Sequence, residues 1–150
     1  MHILITGAAG MIGRKLAERL VASRALNGRQ AASFTLIDVV EPEKPAGFAG
    51  TVSARAADLS SPGEAERAVD GRPDLIFHLA AIVSGEAEAD FEKGYLVNLD
   101  GTRALFEAIR LLGQKQPYNP RVVFTSSVAV FGAPFPDAIG DEFFTTPLTS

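Results

Sequence analysis

The chain has no cysteine and no tryptophan among its 150 residues, and only two histidines. Without cysteine there is no disulfide framework and no thiolate metal site, a composition at ease in a reducing cytosol. His2 and His78 are far apart in sequence and show no metal-ligand spacing, so both read as packed residues near strand ends; no metal site is expected. Charge of one sign is lacking as well. A net charge of -4 with Lys and Arg scattered along the chain leaves no basic face for a nucleic acid. No apolar run approaches the ~18 to 20 residues of a membrane span. The apolar start, Met1 to Thr6, meets glycine at once where a signal peptide would continue, so the N-terminus reads as mature structure and the protein as cytoplasmic.

An apolar fraction of 47% with 21% charged residues suits a folded globular chain. A domain of this length buries roughly two-thirds of its unfolded surface, and one compact domain over 1–150 is the expectation. Short apolar runs at His2–Thr6, Phe34–Val40, Thr51–Ala56, Asp74–Leu79 and Arg121–Ser126 read as strands. Ile12, Leu16 and Leu20 recur at four-residue spacing among charged residues, which predicts a helix fading near Asn27-Gly28. Ser61-Pro62 announces a short helix over Gly63–Val69. The span from Ala89 to Leu112 places Tyr95, Leu99, Thr102, Phe106 and Ile109 on one face of a long helix. Residues Glu41–Gly50 and the Pro- and Phe-containing tail from Gly132 to Ser150 read as loops. Strands alternating with helices make this an α/β chain with a Rossmann-like, doubly wound parallel sheet of about five strands. Ligands in such sheets sit at the carboxyl ends of the strands.

Gly7, Gly10 and Gly13 fall where the first strand turns into the first helix. The first glycine permits the tight turn, the second lets a pyrophosphate approach the backbone, and the third lets the helix pack close to the strand. The helix start at Met11 and Ile12 then offers free N–H groups and the positive end of a dipole to phosphates. Asp38 ends the second strand, 25 residues beyond Gly13, against the ~20 of the dinucleotide fingerprint. A carboxylate there accepts the adenosine ribose hydroxyls and repels a 2′-phosphate, which points to NAD over NADP. A tight structural turn and a surface aspartate are the plainer explanations of the same letters.

Thr6–Gly13, Asp58-Leu59, His78-Leu79-Ala80-Ala81, Asn98, Thr125-Ser126-Ser127 and Val130-Phe131-Gly132 follow in order. Together they resemble the N-terminal motifs of extended short-chain dehydrogenases/reductases, the NAD-dependent epimerase/dehydratase family. Two loops, Ala81–Asp90 and Phe131–Pro136, look like those of a branch that oxidises D-erythronate, a four-carbon sugar acid, at C2. The resemblance implies that Asp58 binds the adenine amino group and Leu59 flanks the ring. Leu79, Ala80 and Ala81 would line the nicotinamide ribose side, and Asn98 would order the active-site backbone. Ser127 would hold the reacting hydroxyl, with Ser126 on the cofactor side. The family base is a Tyr followed four residues later by Lys, about two dozen residues past the serine, a position just beyond Ser150. Tyr95 is followed at that spacing by Leu99 and Tyr118 by Val122, so the pair is absent. The expectation is therefore a partial NAD-binding domain, truncated before its C-terminal part and inactive alone. The complete protein would be a homodimer, leaving the Tyr95, Leu99 and Phe106 face uncovered here. A nucleotide-sugar epimerase or dehydratase, and an NAD-binding module without chemistry, share the same half-domain and remain as alternatives.

Overall fold

The computed structural model describes residues 1–132, 134 and 136–147. Five parallel strands form the main sheet in the order β5-β4-β1-β6-β7, with β1 at His2–Thr6, β4 at Ser33–Asp38, β5 at Thr51–Ala56, β6 at Leu75–His78 and β7 at Arg121–Phe124. The chain builds outward from β1 on one side, then returns to continue on the other. The order therefore reverses between β1 and β6, where Thr6 lies in register with His78. A crevice at the carboxyl ends of those two strands is the topological consequence.

Strand alternation divides the core in two. Ile3 and Ile5 of β1 face α1 (Met11–Ser23), where Ala17, Leu20 and Val21 join Phe34 and Leu36. Leu4 faces the other way, towards α2 (Glu64–Val69) and α5 (Gly101–Lys115), packing with Ile37, Ile76, Ala65, Val69, Leu105 and Ala108. Both faces of β1 are thus dry, which is why its sequence is a continuous apolar run. The crossover from β4 to β5 carries no helix. Phe48 from that loop instead sets its ring edge-on to Phe34, with centroids 4.9 Å apart.

Three expectations need correction. The first helix stops at Ser23, and Asn27-Gly28 is the turn of a small hairpin, β2 (Ala25–Leu26) paired antiparallel with β3 (Arg29–Gln30). Asn27 and Gly28 have φ of 48° and 76°, as the mirror-image two-residue hairpin turn demands. This hairpin is the insertion that lengthens the spacing from Gly13 to Asp38. Ahead of α2 the capping position is Gly63, with no side-chain cap from Ser61; the Ser61 carbonyl accepts from the Glu64 amide.

The long helix is the third correction. It is preceded by a separate α3 (Ser84–Ala89) and runs as α4 (Phe91–Gly94), a π-helical stretch (Tyr95–Asp100) and α5. Bonding from i to i+5 inserts an extra residue into the turn and rotates the helix beyond it. The predicted single stripe is broken by that rotation. Gly101, Leu105 and Ala108 face the core, while Tyr95, Leu99 and Phe106 remain exposed. Just ahead of the tail loop, a short 3₁₀ turn (Val128–Val130) leads to Phe131, which meets Phe143 of that loop edge-on. Ala133 and Phe135 of the second resembling loop, and the last three residues of the tail, Leu148 to Ser150, lie outside the described residues. Among the described residues no helix is long and apolar enough to cross a membrane.

Candidate functional site

The crevice at the β1/β6 switch point opens into a cleft of about 630 Å³. Its floor is the glycine loop. Gly7 has φ of 71°, and a Cβ there would lie 2.6 Å from the Leu79 carbonyl carbon and 2.7 Å from the Ala80 nitrogen, so the chain leaving β6 can pass this close only to glycine. A Cβ at Gly13 would stand 2.1 Å from the Gly7 carbonyl oxygen, so the close approach this glycine allows is between the start of α1 and the loop leaving β1. At Gly10 the sole close neighbour of a Cβ is the Gly7 oxygen at 3.3 Å, and the residue is exposed on the cleft wall. Gly10 caps α1 without a side-chain bond, and the first turn holds no acidic residue. The positive end of the helix is left open to an anion.

Asp38 stands at the end of β4 on the cleft wall. Its Oδ2 accepts the Ala9 amide at 2.9 Å and its Oδ1 the Val39 amide at 2.7 Å. Each oxygen retains a second lone pair for a ligand hydroxyl. Asp58 accepts both the Ser60 amide, at 2.9 Å, and the Ser60 hydroxyl, at 2.6 Å, on Oδ1. That turn leaves Oδ2 as the oxygen available to a ligand. Leu59 is buried between the core and the cleft, and Leu79, Ala80 and Ala81 form the opposite wall.

Gly7, Gly10, Asp38, Asp58, Leu59, Leu79, Ala80 and Ala81 are therefore brought together in one cavity. Met11, Ile12, Gly13, Asn98, Ser126 and Ser127 are not among its lining residues. Met11 and Ile12 point outward, 63% and 57% exposed, so only their backbone could serve a phosphate. Asn98, in the π-helical stretch, acts on the wall from behind. Its Oδ1 accepts the Ile82 amide at 2.9 Å and its Nδ2 donates to the Ile82 carbonyl at 3.1 Å. Ser127 follows β7, exposed, and its Oγ accepts the Ala129 amide at 3.1 Å. Its hydroxyl proton stays free to donate.

Several residues of the site were given no ligand role from sequence. Thr6, His78 and Ile82 line the cleft, as do Glu86 and Lys93, which form an ion pair of 2.5 Å. Lys93 is the one cation among the described lining residues, and the Glu86 carboxylate raises its pKa. His78 is fully buried, and burial holds its imidazole below the ordinary histidine pKa. A polar ring in an apolar strand, level with Thr6, was the available signal. A second depression of about 600 Å³, between α1 and the loop after β4, has neither glycine loop nor strand ends.

These features define the class as a Rossmann-type dinucleotide-binding domain. Residues 3–150 match the model of the NAD dependent epimerase/dehydratase family, and the chain belongs to that family. It is 44% identical to a D-erythronate dehydrogenase of Cupriavidus necator and 37% identical to one of Haemophilus influenzae, covering 100% and 98% of this chain. The chain spans 46% and 44% of the length of those two relatives. Among solved structures it superposes on a nucleoside-diphosphate-sugar epimerase from Agrobacterium tumefaciens with a TM-score of 0.94 and 69% identity, over 99% of this chain and 43% of that one. A uronate dehydrogenase from Agrobacterium tumefaciens, complexed with NAD, gives 0.72 and 32%, over 97% of this chain and 48% of that one.

Proposed function

We propose that this chain is the NAD-holding part of a cytosolic oxidoreductase that oxidises a small sugar acid, D-erythronate or a close analogue, at C2. The observation that carries the reading is the cleft itself: an open helix N-terminus, Gly10 without a side chain and two carboxylates along one wall, set at the switch point of the sheet. The named activity of the two dehydrogenase relatives supplies the substrate class.

The residues present fit the dinucleotide. Backbone amides from Gly10 to Ile12 would face the pyrophosphate, Asp38 the adenosine ribose and Asp58 the adenine amino group, with Leu59 against the ring. Leu79, Ala80 and Ala81 would flank the nicotinamide ribose, Ser126 would lie on the same side, and Asn98 keeps that wall in place. NAD supplies a hydride acceptor when bound. Ser127 would donate its free hydroxyl proton to the oxygen of the reacting alcohol and so fix the carbon beneath it. Neither Tyr95 nor Tyr118 has a lysine four residues on, and Tyr118 hydrogen-bonds Pro73 at the start of β6, the opposite end of the sheet. The general base in this reading is a residue beyond Ser150, and these 150 residues alone turn over no substrate. The exposed Tyr95, Leu99 and Phe106 would meet a second protomer in a homodimer.

The test is a cofactor-reduction assay with the protein at its natural length, NAD and D-erythronate. Accumulating NADH is the expected result. Interconversion of a nucleotide sugar without net NADH would replace the reading with an epimerase, and tight NAD binding with no turnover of either substrate would leave a binding module.

A further inference from the structure

His78 lies at the centre of a chain of hydrogen bonds whose direction can be worked out donor by donor. The Thr102 hydroxyl donates to the Asn98 carbonyl at 2.8 Å. With that proton given to Asn98, the Thr102 oxygen, 2.9 Å from His78 Nε2, is placed to accept. This arrangement puts the ring proton on Nε2 and makes Nδ1 the acceptor. Thr6 Oγ1, 2.7 Å from Nδ1, donates to it and itself accepts the Ala80 amide at 3.3 Å. Every donor and acceptor in the series is used once, with the ring neutral. The residue is 1% exposed, and the Phe124 ring lies 5.8 Å from the imidazole.

Both ends of this series act on one short stretch of backbone. At one end it holds the Ala80 amide through Thr6. At the other it reaches Asn98, whose side-chain amide grips the amide and carbonyl of Ile82. Asn98, in the π-helical stretch, thus presents its carbonyl to Thr102 and its side chain to Ile82. Ala80, Ala81 and Ile82 are wall residues of the cleft.

We propose that His78, as the neutral Nε2–H tautomer, is a positioning residue that sets the Ala80–Ile82 wall for the cofactor through Thr6 on one side and Thr102 and Asn98 on the other. The proposal rests on the reading of the cleft as an NAD site. A buried ring that served only to fill space would need neither a single tautomer nor a continuous series of bonds to both ends of one wall.

Two measurements on the protein at its natural length test it. Nitrogen-15 NMR of the histidine rings reads the tautomer with no ligand present, and the proton is expected on Nε2 of His78; a proton on Nδ1 overturns the proposal. Calorimetric titration with NAD then compares wild type, Thr102→Val and Thr102→Ser. The valine variant, which removes the acceptor for Nε2–H, is expected to bind about tenfold more weakly, and the serine variant to return to within about twofold of wild type. A valine variant with lowered melting temperature but wild-type NAD affinity would make the network merely structural and overturn the proposal. If Thr102→Val does not fold, Asn98→Asp, which keeps the acceptor for the Ile82 amide and loses the donor to its carbonyl, carries the same expectation of weaker binding. Unchanged affinity there overturns the proposal too. A wild-type protein that binds no NAD would overturn the cofactor reading and the positioning role together, while the tautomer result would stand by itself.

Discussion

Asp38 at the end of β4 accepts the backbone amide of Ala9 in the glycine loop at 2.9 Å, so the residue read as the ribose ligand also fastens the phosphate loop to the sheet. The two roles can be separated by substitution. Asp38→Asn keeps an oxygen for the Ala9 amide and discards the charge that would repel a 2′-phosphate. It is expected to bind NAD about tenfold more weakly, in line with one charge-assisted bond, and to narrow the gap between NAD and NADP. Asp38→Ala is expected to lose more, because the loop amide is orphaned as well. Titration of both cofactors into the three proteins checks this, and an asparagine variant with undiminished preference for NAD would remove Asp38 from the discrimination.

Gly10 and Gly13 are separated by one turn of chain but are expected to fail in different ways. A methyl at Gly13 would collide with the Gly7 carbonyl at 2.1 Å, and backbone on both sides leaves little room to yield. Gly13→Ala is expected to cost about 2–4 kcal/mol of stability by overpacking and strain. A methyl at Gly10 meets one atom at 3.3 Å and otherwise projects into the cleft. Gly10→Ala should unfold within about 1 kcal/mol of wild type yet bind NAD weakly. Denaturant titrations and cofactor titrations on the pair give the contrast; a Gly10 variant that binds as wild type would move the pyrophosphate elsewhere.

The sheet was legible because each strand is a short apolar run with a glycine or polar stop, and the glycine loop because its spacing falls between the first strand and the first helix. What escaped was governed by backbone geometry and pairings that a count of apolar spacings does not see. The Asn27-Gly28 hairpin resembles a frayed helix end until its left-handed dihedrals are seen. The π-helical stretch leaves no mark in a periodicity of 3.6, so Leu105 and Ala108, not Phe106, took the core face. Asn98 could be placed in a helix but not against Ile82, 16 residues earlier, since only the folded chain brings the two together. Glu86 and Lys93 became neighbours through α3, a helix whose 6 residues are too few to display a period.

Tyr118 offers a check on the opposite end of the sheet. Its hydroxyl donates to the Pro73 carbonyl at 2.9 Å, and the Arg72 guanidinium lies 4.8 Å from the ring centre. Tyr118→Phe retains the ring and deletes the bond, at an expected cost of about 1 kcal/mol. Burial pushes the phenol pKa from 10 up to about 12. Between those values the unfolded chain has released its proton while the folded chain keeps it, so stability should fall as pH rises from 10 to about 12. Urea midpoints at pH 9 and pH 11, roughly either side of the ordinary tyrosine pKa, should drop more for wild type than for the phenylalanine variant. Equal drops would assign the alkaline loss to other groups.

At the acid end the same reasoning applies to His78 with the sign reversed. Burial lowers its pKa below the ordinary 6.5. As pH falls through 6.5 the unfolded chain takes up a proton that the folded ring resists, so the stabilisation is complete above that value and is lost on acidification. Protonated Nδ1 would also confront Thr6 Oγ1, which already accepts the Ala80 amide, and the hydroxyl proton between them would have to turn away. Acid should therefore loosen the Ala80 wall before it unfolds the domain. His78→Gln is expected to be less stable than wild type at neutral pH, with a shallower decline between about pH 7 and pH 5. Denaturant midpoints across that range measure the difference between the two slopes. Parallel slopes would show that the imidazole is not the titrating group, and the acid sensitivity would then belong to carboxylates such as Asp74, whose bond from the His2 amide lowers its pKa.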